Sequence, residues 1–275
     1  MYRCGITGHS GVLGKSIQKN LNFNYIKFNG NITKLKEVEK WVSKNKFDYL
    51  IHLAAIVPTS IVEKDFLKSK KVNYVGTKNL IDSIIKFRKE IKFFFFSSTS
   101  HVYNSKNKFS KLNEQNLTKP YSKYGKTKLL AENYIKKKLK KVKIKYCIGR
   151  IFSFTHKNQD TSFVVPNLFN KIKKAKGKKS VLKNLNHFRD FISIDDICSA
   201  IGLILRKEIT GILNIGTGKK IQLSKIAYFF AKKFNVKLTV KSNQDPTYLI
   251  SNNDKLKQNG WKPKKEFLRE LKKFQ

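Results

Sequence analysis

Over the first two thirds of the chain, short apolar runs alternate with amphipathic stretches. That rhythm predicts a parallel sheet with helices on both faces. Residues 2–7 read as a first strand and 12–20 as the helix after it. Residues 24–28 give a second strand, and Leu35, Val38, Trp41 and Val42 draw one apolar stripe on a helix for which Thr33 is the expected cap. A third strand is predicted at 48–53 and one long helix at 61–87. Ile91 to Phe96 is apolar without alternation, the mark of a central strand buried on both faces. A polar loop from Ser97 to Lys119, a helix at 121–139 and a fifth strand at 142–148 follow. Beyond residue 150 the elements shorten: a helix near 166–175, a strand near 190–194, a helix at 195–206, a strand at 212–215, a helix at 222–233 and a last short helix after Pro263. The expected fold is α/β: a doubly wound parallel sheet with a small, interwoven C-terminal lobe. Residues 1–150 would form the sheet domain, with return elements near 190–215, and residues 151–275 mainly the lobe.

Composition narrows the function classes. The chain has 275 residues, 40% of them apolar and 12% aromatic, too hydrophobic for a disordered basic tail despite a net charge of +41. Only six of its 59 basic residues are arginine, whereas nucleic-acid readers lean on arginine for bidentate contacts. The lysine-rich stretches 136–145 and 171–183 alternate with apolar residues, as solvated faces do, so specific nucleic-acid binding is not expected. No apolar stretch reaches the roughly 18–20 residues of a membrane span. The N-terminus runs from Arg3 into a glycine-rich turn without a secretory pattern, and a cytoplasmic location is expected. Cys4, Cys147 and Cys198 are far apart, odd in number and without metal spacing, so they read as reduced core residues.

The candidate chemistry sits in two places. Thr7, Gly8, Gly11 and Gly14 lie between the first strand and its helix, where glycines let backbone approach a pyrophosphate and the helix N-terminus supplies N–H donors. Alone, a glycine triplet is a weak signal, since a tight turn without a ligand can carry one. Tyr124 and Lys128 are four residues apart on one helical face, an arrangement in which the ammonium should lower the tyrosine pKa and make it a general acid/base. In a lysine-rich chain such a pair also arises by chance.

Taken with the remaining motifs, the sequence resembles the extended short-chain dehydrogenase/reductases, the group of NAD(P)-dependent epimerases, dehydratases and reductases of nucleotide sugars. Thr7 to Gly14 matches the family's glycine motif, Leu53-Ala54-Ala55 its segment after strand three, and Asn73 its helical asparagine. Ser97 to Tyr103 and Tyr124 to Lys128 match its active-site motifs. Arg189-Asp190-Phe191-Ile192, Asn214 to Gly218 and Gly260-Trp261-Lys262-Pro263 match motifs of its second lobe. The resemblance implies that Thr99, Tyr124 and Lys128 are catalytic. It implies that Thr7, Gly8, Gly11, Gly14, Asn31, Leu53, Ala54, Ala55 and Asn73 hold the dinucleotide together with Tyr124 and Lys128. Substrate would be met by Ser98, Thr99, His101, Ser153 and Arg189, the last against the diphosphate.

Departures from the family's pattern sharpen the expectation. Phe28-Asn29-Gly30-Asn31 lacks the acidic residue that often ends strand two, so NADP is expected to bind at least as well as NAD. Thr99-Ser100-His101 carries no carboxyl pair for eliminating water. Ser153 stands where a substrate-side asparagine is common, and a second phosphate arginine is missing from 245–248. The expected partner is a nucleotide-diphosphate sugar and the expected assembly a homodimer. The expected reaction is epimerisation at C4 by oxidation and re-reduction. The alternative is an NADPH-dependent reductase of a 4-keto-6-deoxysugar nucleotide, with a non-catalytic dinucleotide-binding protein behind it. No metal is expected, because His9, His52, His101, His156 and His187 lack ligand spacing; Asp195 and Asp196 are read as helix caps.

Overall fold

Four consecutive phenylalanines, Phe93 to Phe96, are fully buried, because side chains of a strand alternate between faces and here both faces are covered. Phe93 and Phe95 join one hydrophobic layer; Phe94 and Phe96 join the other. A computed structural model of the chain describes residues 1–87, 90–106 and 111–275.

In chain order the sheet domain comprises β1 (Arg3–Thr7), α1 (Val12–Asn20), β2 (Asn24–Lys27), α2 (Leu35–Lys44), β3 (Tyr49–His52), α3 (Thr59–Lys64), α4 (Phe66–Lys70), a π-helical turn (Lys71–Val75), α5 (Gly76–Phe87), β4 (Phe93–Thr99), α6 (Lys123–Lys141) and β5 (Tyr146–Ile151). The rest comprises α7 (Val164–Lys174), β6 (Lys179–Lys183), β7 (Phe188–Arg189), α8 (Ile194–Lys207), β8 (Gly211–Ile215), β9 (Ile221–Gln222), α9 (Leu223–Lys233), β10 (Lys237–Lys241), β11 (Tyr248–Leu249), α10 (Asp254–Gln258) and α11 (Phe267–Lys272). Six parallel strands form the main sheet in the order β2-β1-β3-β4-β5-β8. The order reverses between β1 and β3, which opens a crevice at the carboxyl ends of those strands.

One layer packs α1 and α8 on the sheet through Ile17, Ile197, Cys198 and Ile201; the other packs α2, α5 and α6 through Val38, Ile81, Ile84 and Ile135. The lobe has its own core between α7, α9 and α11, and its chain returns to the sheet through α8 and β8. All three cysteines are free and buried. No helix among the described residues is long and apolar enough to cross a membrane.

Several boundaries differ from expectation for local reasons. The predicted helix 61–87 is broken at Asp65, whose φ of −132° is not helical and whose carboxylate accepts from the Lys68 N–H to start α4. The fifth strand begins at Tyr146 rather than 142, because the chain turns at Lys143 with φ 55°. The strand placed at 190–194 is the two-residue β7, after which Ser193 caps α8 by accepting from the Asp196 N–H. Asp196 is therefore not the cap: it is buried and accepts from the N–H groups of Lys264 and Lys265, tying the C-terminal segment to α8. Likewise Lys34, not Thr33, precedes α2, and the Thr33 hydroxyl donates to Asn31. Of the polar loop predicted at 97–119, the first three residues extend β4, and residues 107–110 lie outside the described residues.

Candidate active site

The glycine loop closes against the segment after β3 so tightly that side chains have no room. Gly8 has φ 71°, and a Cβ on it would stand 2.6 Å from the Ala54 nitrogen; a Cβ on Gly14 would collide with the Gly8 carbonyl. Gly11 precedes α1 without a side-chain cap, and the first turn of α1 carries no acid. The leading N–H groups are thus free to face an anion.

Beneath the loop runs a hydrogen-bond chain that the motifs did not disclose. The Ala54 N–H donates to Thr7 Oγ1, which lies 2.6 Å from His52 Nδ1; His52 Nε2 lies 2.9 Å from Thr77 Oγ1, which donates to the Asn73 carbonyl. Because the single Thr77 hydroxyl proton goes to Asn73, His52 must donate from Nε2 and accept from Thr7 at Nδ1. Burial pushes its pKa down to about 3, with the Lys128 charge adding to the effect, so the ring is neutral as this chain requires.

Two expected cofactor residues are occupied otherwise. The Asn73 amide exchanges hydrogen bonds with the Ile56 backbone and donates to Thr127 Oγ1, bracing the 53–56 loop on α6. Asn31 is exposed; its N–H donates to Glu37 Oε2 at 2.6 Å and its Oδ1 accepts from Thr33. A carboxylate therefore does stand at the end of β2, contributed by α2 and paired with Lys34 at 3.2 Å. The acid absent from the β2 segment itself is thus present in space as Glu37.

Ser122 caps α6 by accepting from the Gly125 N–H, and Gly125 lets the helix press on the carbonyl of His101, where a Cβ would collide. Tyr124 and Lys128 are consequently both buried, on the face turned to β4. Lys128 Nζ sits 4.1 Å from the centre of the Phe96 ring. The pKa pattern reverses the expected one: burial pushes Tyr124 up to about 12, opposed by a hydrogen bond with Thr99, and pushes Lys128 down to about 7, opposed by Glu132. The cost of burying a phenolate outweighs the help of the Thr99 hydrogen bond.

Across from Tyr124, Arg189 donates to the carbonyls of Phe188 and Thr247 and to the Thr247 hydroxyl, and it has no carboxylate partner among the described residues. Burial lowers its pKa only to about 10, so it stays a cation with unspent charge. The His101 ring stands edge-on to Tyr124 at 5.8 Å and is pushed down to about 4 by burial and by Arg189, hence neutral. Ser153 bridges to Phe191, its carbonyl accepting from the Ile192 N–H. Ser98 donates its hydroxyl to Glu132 at 2.5 Å, so the structure gives it a bracing part instead of a free substrate contact. Sequence reasoning noted Asp190 without a role: fully buried, it gathers donors from Thr217, Gly218 and Ser251 and holds the lobe's loops together. It gave no role to Glu132 in the lysine-rich α6 or to Arg150 in the otherwise apolar β5.

Comparison with known proteins accords with this geometry. A family model described as GDP-mannose 4,6 dehydratase matches residues 7–273. The dTDP-D-glucose 4,6-dehydratase of Dictyostelium discoideum is 31% identical over 218 residues, 74% of this chain but 49% of that protein, so the chain spans about half of that relative's length. The ADP-L-glycero-D-manno-heptose-6-epimerase of Brachyspira hyodysenteriae is 32% identical over 225 residues, 78% of this chain and 69% of that protein. The structure of RMD from Pseudomonas aeruginosa complexed with NADPH has the same fold, with a TM-score of 0.87 at 19% identity, covering 98% of this chain and 96% of the other. The chain belongs to the GDP-mannose 4,6-dehydratase family, within the NAD-dependent epimerase/dehydratase group of extended short-chain dehydrogenase/reductases.

Proposed function

We propose that the protein is an NAD(P)-dependent epimerase of a nucleotide-diphosphate sugar, oxidising and re-reducing C4. The observation that carries the reading is that His101 joins two groups: its ring stands 5.8 Å from that of Tyr124, in the Thr99–Tyr124–Lys128 set, and it lies within reach of the uncompensated Arg189 cation. The tight glycine loop, with no room for a Cβ at Gly8 or Gly14, and the uncapped start of α1 fit a dinucleotide pyrophosphate. Thr7, Gly8, Gly11, Gly14 and the 53–55 backbone would hold it, with Lys128 and Tyr124 toward its nicotinamide ribose. When bound, the dinucleotide accepts a hydride from the sugar and returns it.

The chain's own residues do the rest. Once its own proton has been released to water, the Tyr124 phenolate takes the proton of the sugar 4-hydroxyl and later gives it back. Thr99 hydrogen-bonds the same sugar oxygen and orients it. Lys128 supplies positive charge next to the phenol, and burial keeps water from competing. Arg189, its planar guanidinium held in place by Thr247, fits the forked geometry of diphosphate oxygens and anchors the substrate while its sugar turns. Ser100 and His101 follow Thr99 where elimination of water would want carboxyl groups, which favours redox at C4 without dehydration.

Incubation with nucleotide sugars, followed by product NMR and absorbance of the reduced dinucleotide, tests the reading. Interconversion of 4-epimers without net consumption of NAD(P)H is expected. Stoichiometric oxidation of NADPH with a 4-keto sugar, and no epimer from any 4-hydroxy sugar, would assign the reductase instead.

A further inference from the structure

Tyr124, Lys128 and Glu132 form one stripe at four-residue spacing along the buried face of α6. Glu132 is fully buried, and its carboxylate is held by side chains of two strands. Oε1 accepts from Ser98 Oγ at 2.5 Å and from Arg150 Nε at 3.1 Å; Oε2 accepts from Arg150 Nη2 at 2.7 Å. Arg150 is fixed in turn: Nη1 donates to the Glu114 carbonyl, and the guanidinium carbon lies 4.6 Å from the centre of the Tyr103 ring. The Tyr103 hydroxyl donates to Asn214, whose N–H donates to Glu114. One carboxylate thereby links α6, the Thr99 end of β4, and β5.

Burying a carboxylate and a guanidinium is costly, and apolar residues of similar volume often do as well for stability. Lys128, one turn away, is a buried cation that needs a negative charge. The other ionisable groups around α6 do not supply it. His52 on β3 and His101 beyond β4 are neutral, Tyr124 is protonated, and Arg150 on β5 is positive. Glu63 on α3 and Asp82 on α5 pair with Lys123, Lys78 and Lys138, Tyr74 packs on Tyr134, and Glu114 reaches toward Lys255.

We propose that Glu132, clamped by Arg150 and Ser98, is a positioning residue of the proton-transfer site, supplying the buried negative charge that holds Lys128 as an ammonium beside Tyr124. This rests on Tyr124 and Lys128 being that site. The direction of the Lys128 shift agrees: burial lowers it and Glu132 opposes the fall. Without the carboxylate, Lys128 would lose its proton at a lower pH.

The test reads the lysine itself as well as turnover. In the full chain labelled with 13Cε-lysine, one lysine signal should titrate near neutrality and vanish in Lys128→Ala. In Glu132→Gln that titration is expected to move down by about one unit or more, and the alkaline limb of the pH–kcat/KM profile to move down with it. Glu132→Gln leaves Arg150 buried and unpaired, so the folded state is checked by circular dichroism. The double variant Glu132→Gln with Arg150→Gln, which removes both charges, is expected to shift Lys128 in the same direction. Ser98→Ala and Glu132→Asp keep the negative charge and should leave the titration near that of the unaltered chain. An unchanged Lys128 titration in folded Glu132→Gln or in the double variant would overturn the proposal, as would an equal shift in Ser98→Ala. Because the NMR titration needs no substrate, it stands or falls apart from the epimerase assignment.

Discussion

The two regions of the candidate site are built on opposite principles. Around β1 and α1 the site consists of missing atoms: glycines at 8, 11 and 14, a bare helix N-terminus, and a neutral relay from Thr7 through His52 to Thr77. Around β4, β5 and α6 it consists of buried charges: Lys128, Glu132 and Arg150, with Arg189 facing them from the lobe. On the proposed reading the first side recognises shape, since pyrophosphate needs close backbone approach. The second would do proton chemistry, which needs groups whose ionisation responds to their surroundings. Added volume should therefore damage the first side, and altered ionisation the second.

The largest effect is expected on the charged side. Tyr124→Phe keeps the ring's packing and removes the proton carrier, so turnover should fall by roughly 10²-fold or more with an unchanged melting temperature. Near-normal turnover would exclude Tyr124 from proton transfer. On the shape side, Gly8→Ala places a methyl group against Ala54 at a positive φ, and dinucleotide affinity measured by calorimetry should drop about tenfold or more. An unaffected affinity would mean that the loop does not contact the pyrophosphate.

Much of this contrast can be read in the sequence, and unevenly so. The glycine spacing and the phenylalanine run of β4 are periodic signals carried by consecutive residues, and α1 falls at the residues predicted for it. The break at Asp65 and the π-helical turn around Asn73 are not periodic; they arise where Asp65 caps a new helix and Asn73 turns inward to the 53–56 loop. β7, β9 and β11 have two residues each, too few to show alternation. β6 and β10 do alternate, with Lys179, Val181 and Lys183 opposite Lys237, Thr239 and Lys241, but their lysines read as a solvated face until the pairing is seen. At the site, the identities of Tyr124, Lys128 and Arg189 are legible as motifs. Their ionisation is not, because the burial that raises Tyr124 and lowers Lys128 comes from packing across the fold.

A smaller effect separates the two sides by pH. The folded-state pKa of His52 is depressed from 6.5 to about 3. Its contribution to stability is therefore complete above pH 6.5 and lost as pH falls from there toward 3. The melting temperature should decline across that window, and His52→Gln should make the decline shallower; an unchanged slope would deny His52 its neutral role under the glycine loop. The smallest effect expected is in cofactor choice. Glu37→Gln removes the carboxylate at the end of β2 and should raise NADP affinity relative to NAD by a few-fold at low salt. No change in the ratio would place Glu37 away from the bound ribose.

The account's central claim is that the hydride taken from C4 returns to the same carbon. It is tested most directly with a nucleotide sugar deuterated at C4. The account predicts that the 4-epimer forms with deuterium retained at C4, the dinucleotide pool unchanged in oxidation state, and the exchange abolished in Tyr124→Phe. Net oxidation or reduction of the dinucleotide in step with product, or an epimer that has lost its deuterium, would contradict it.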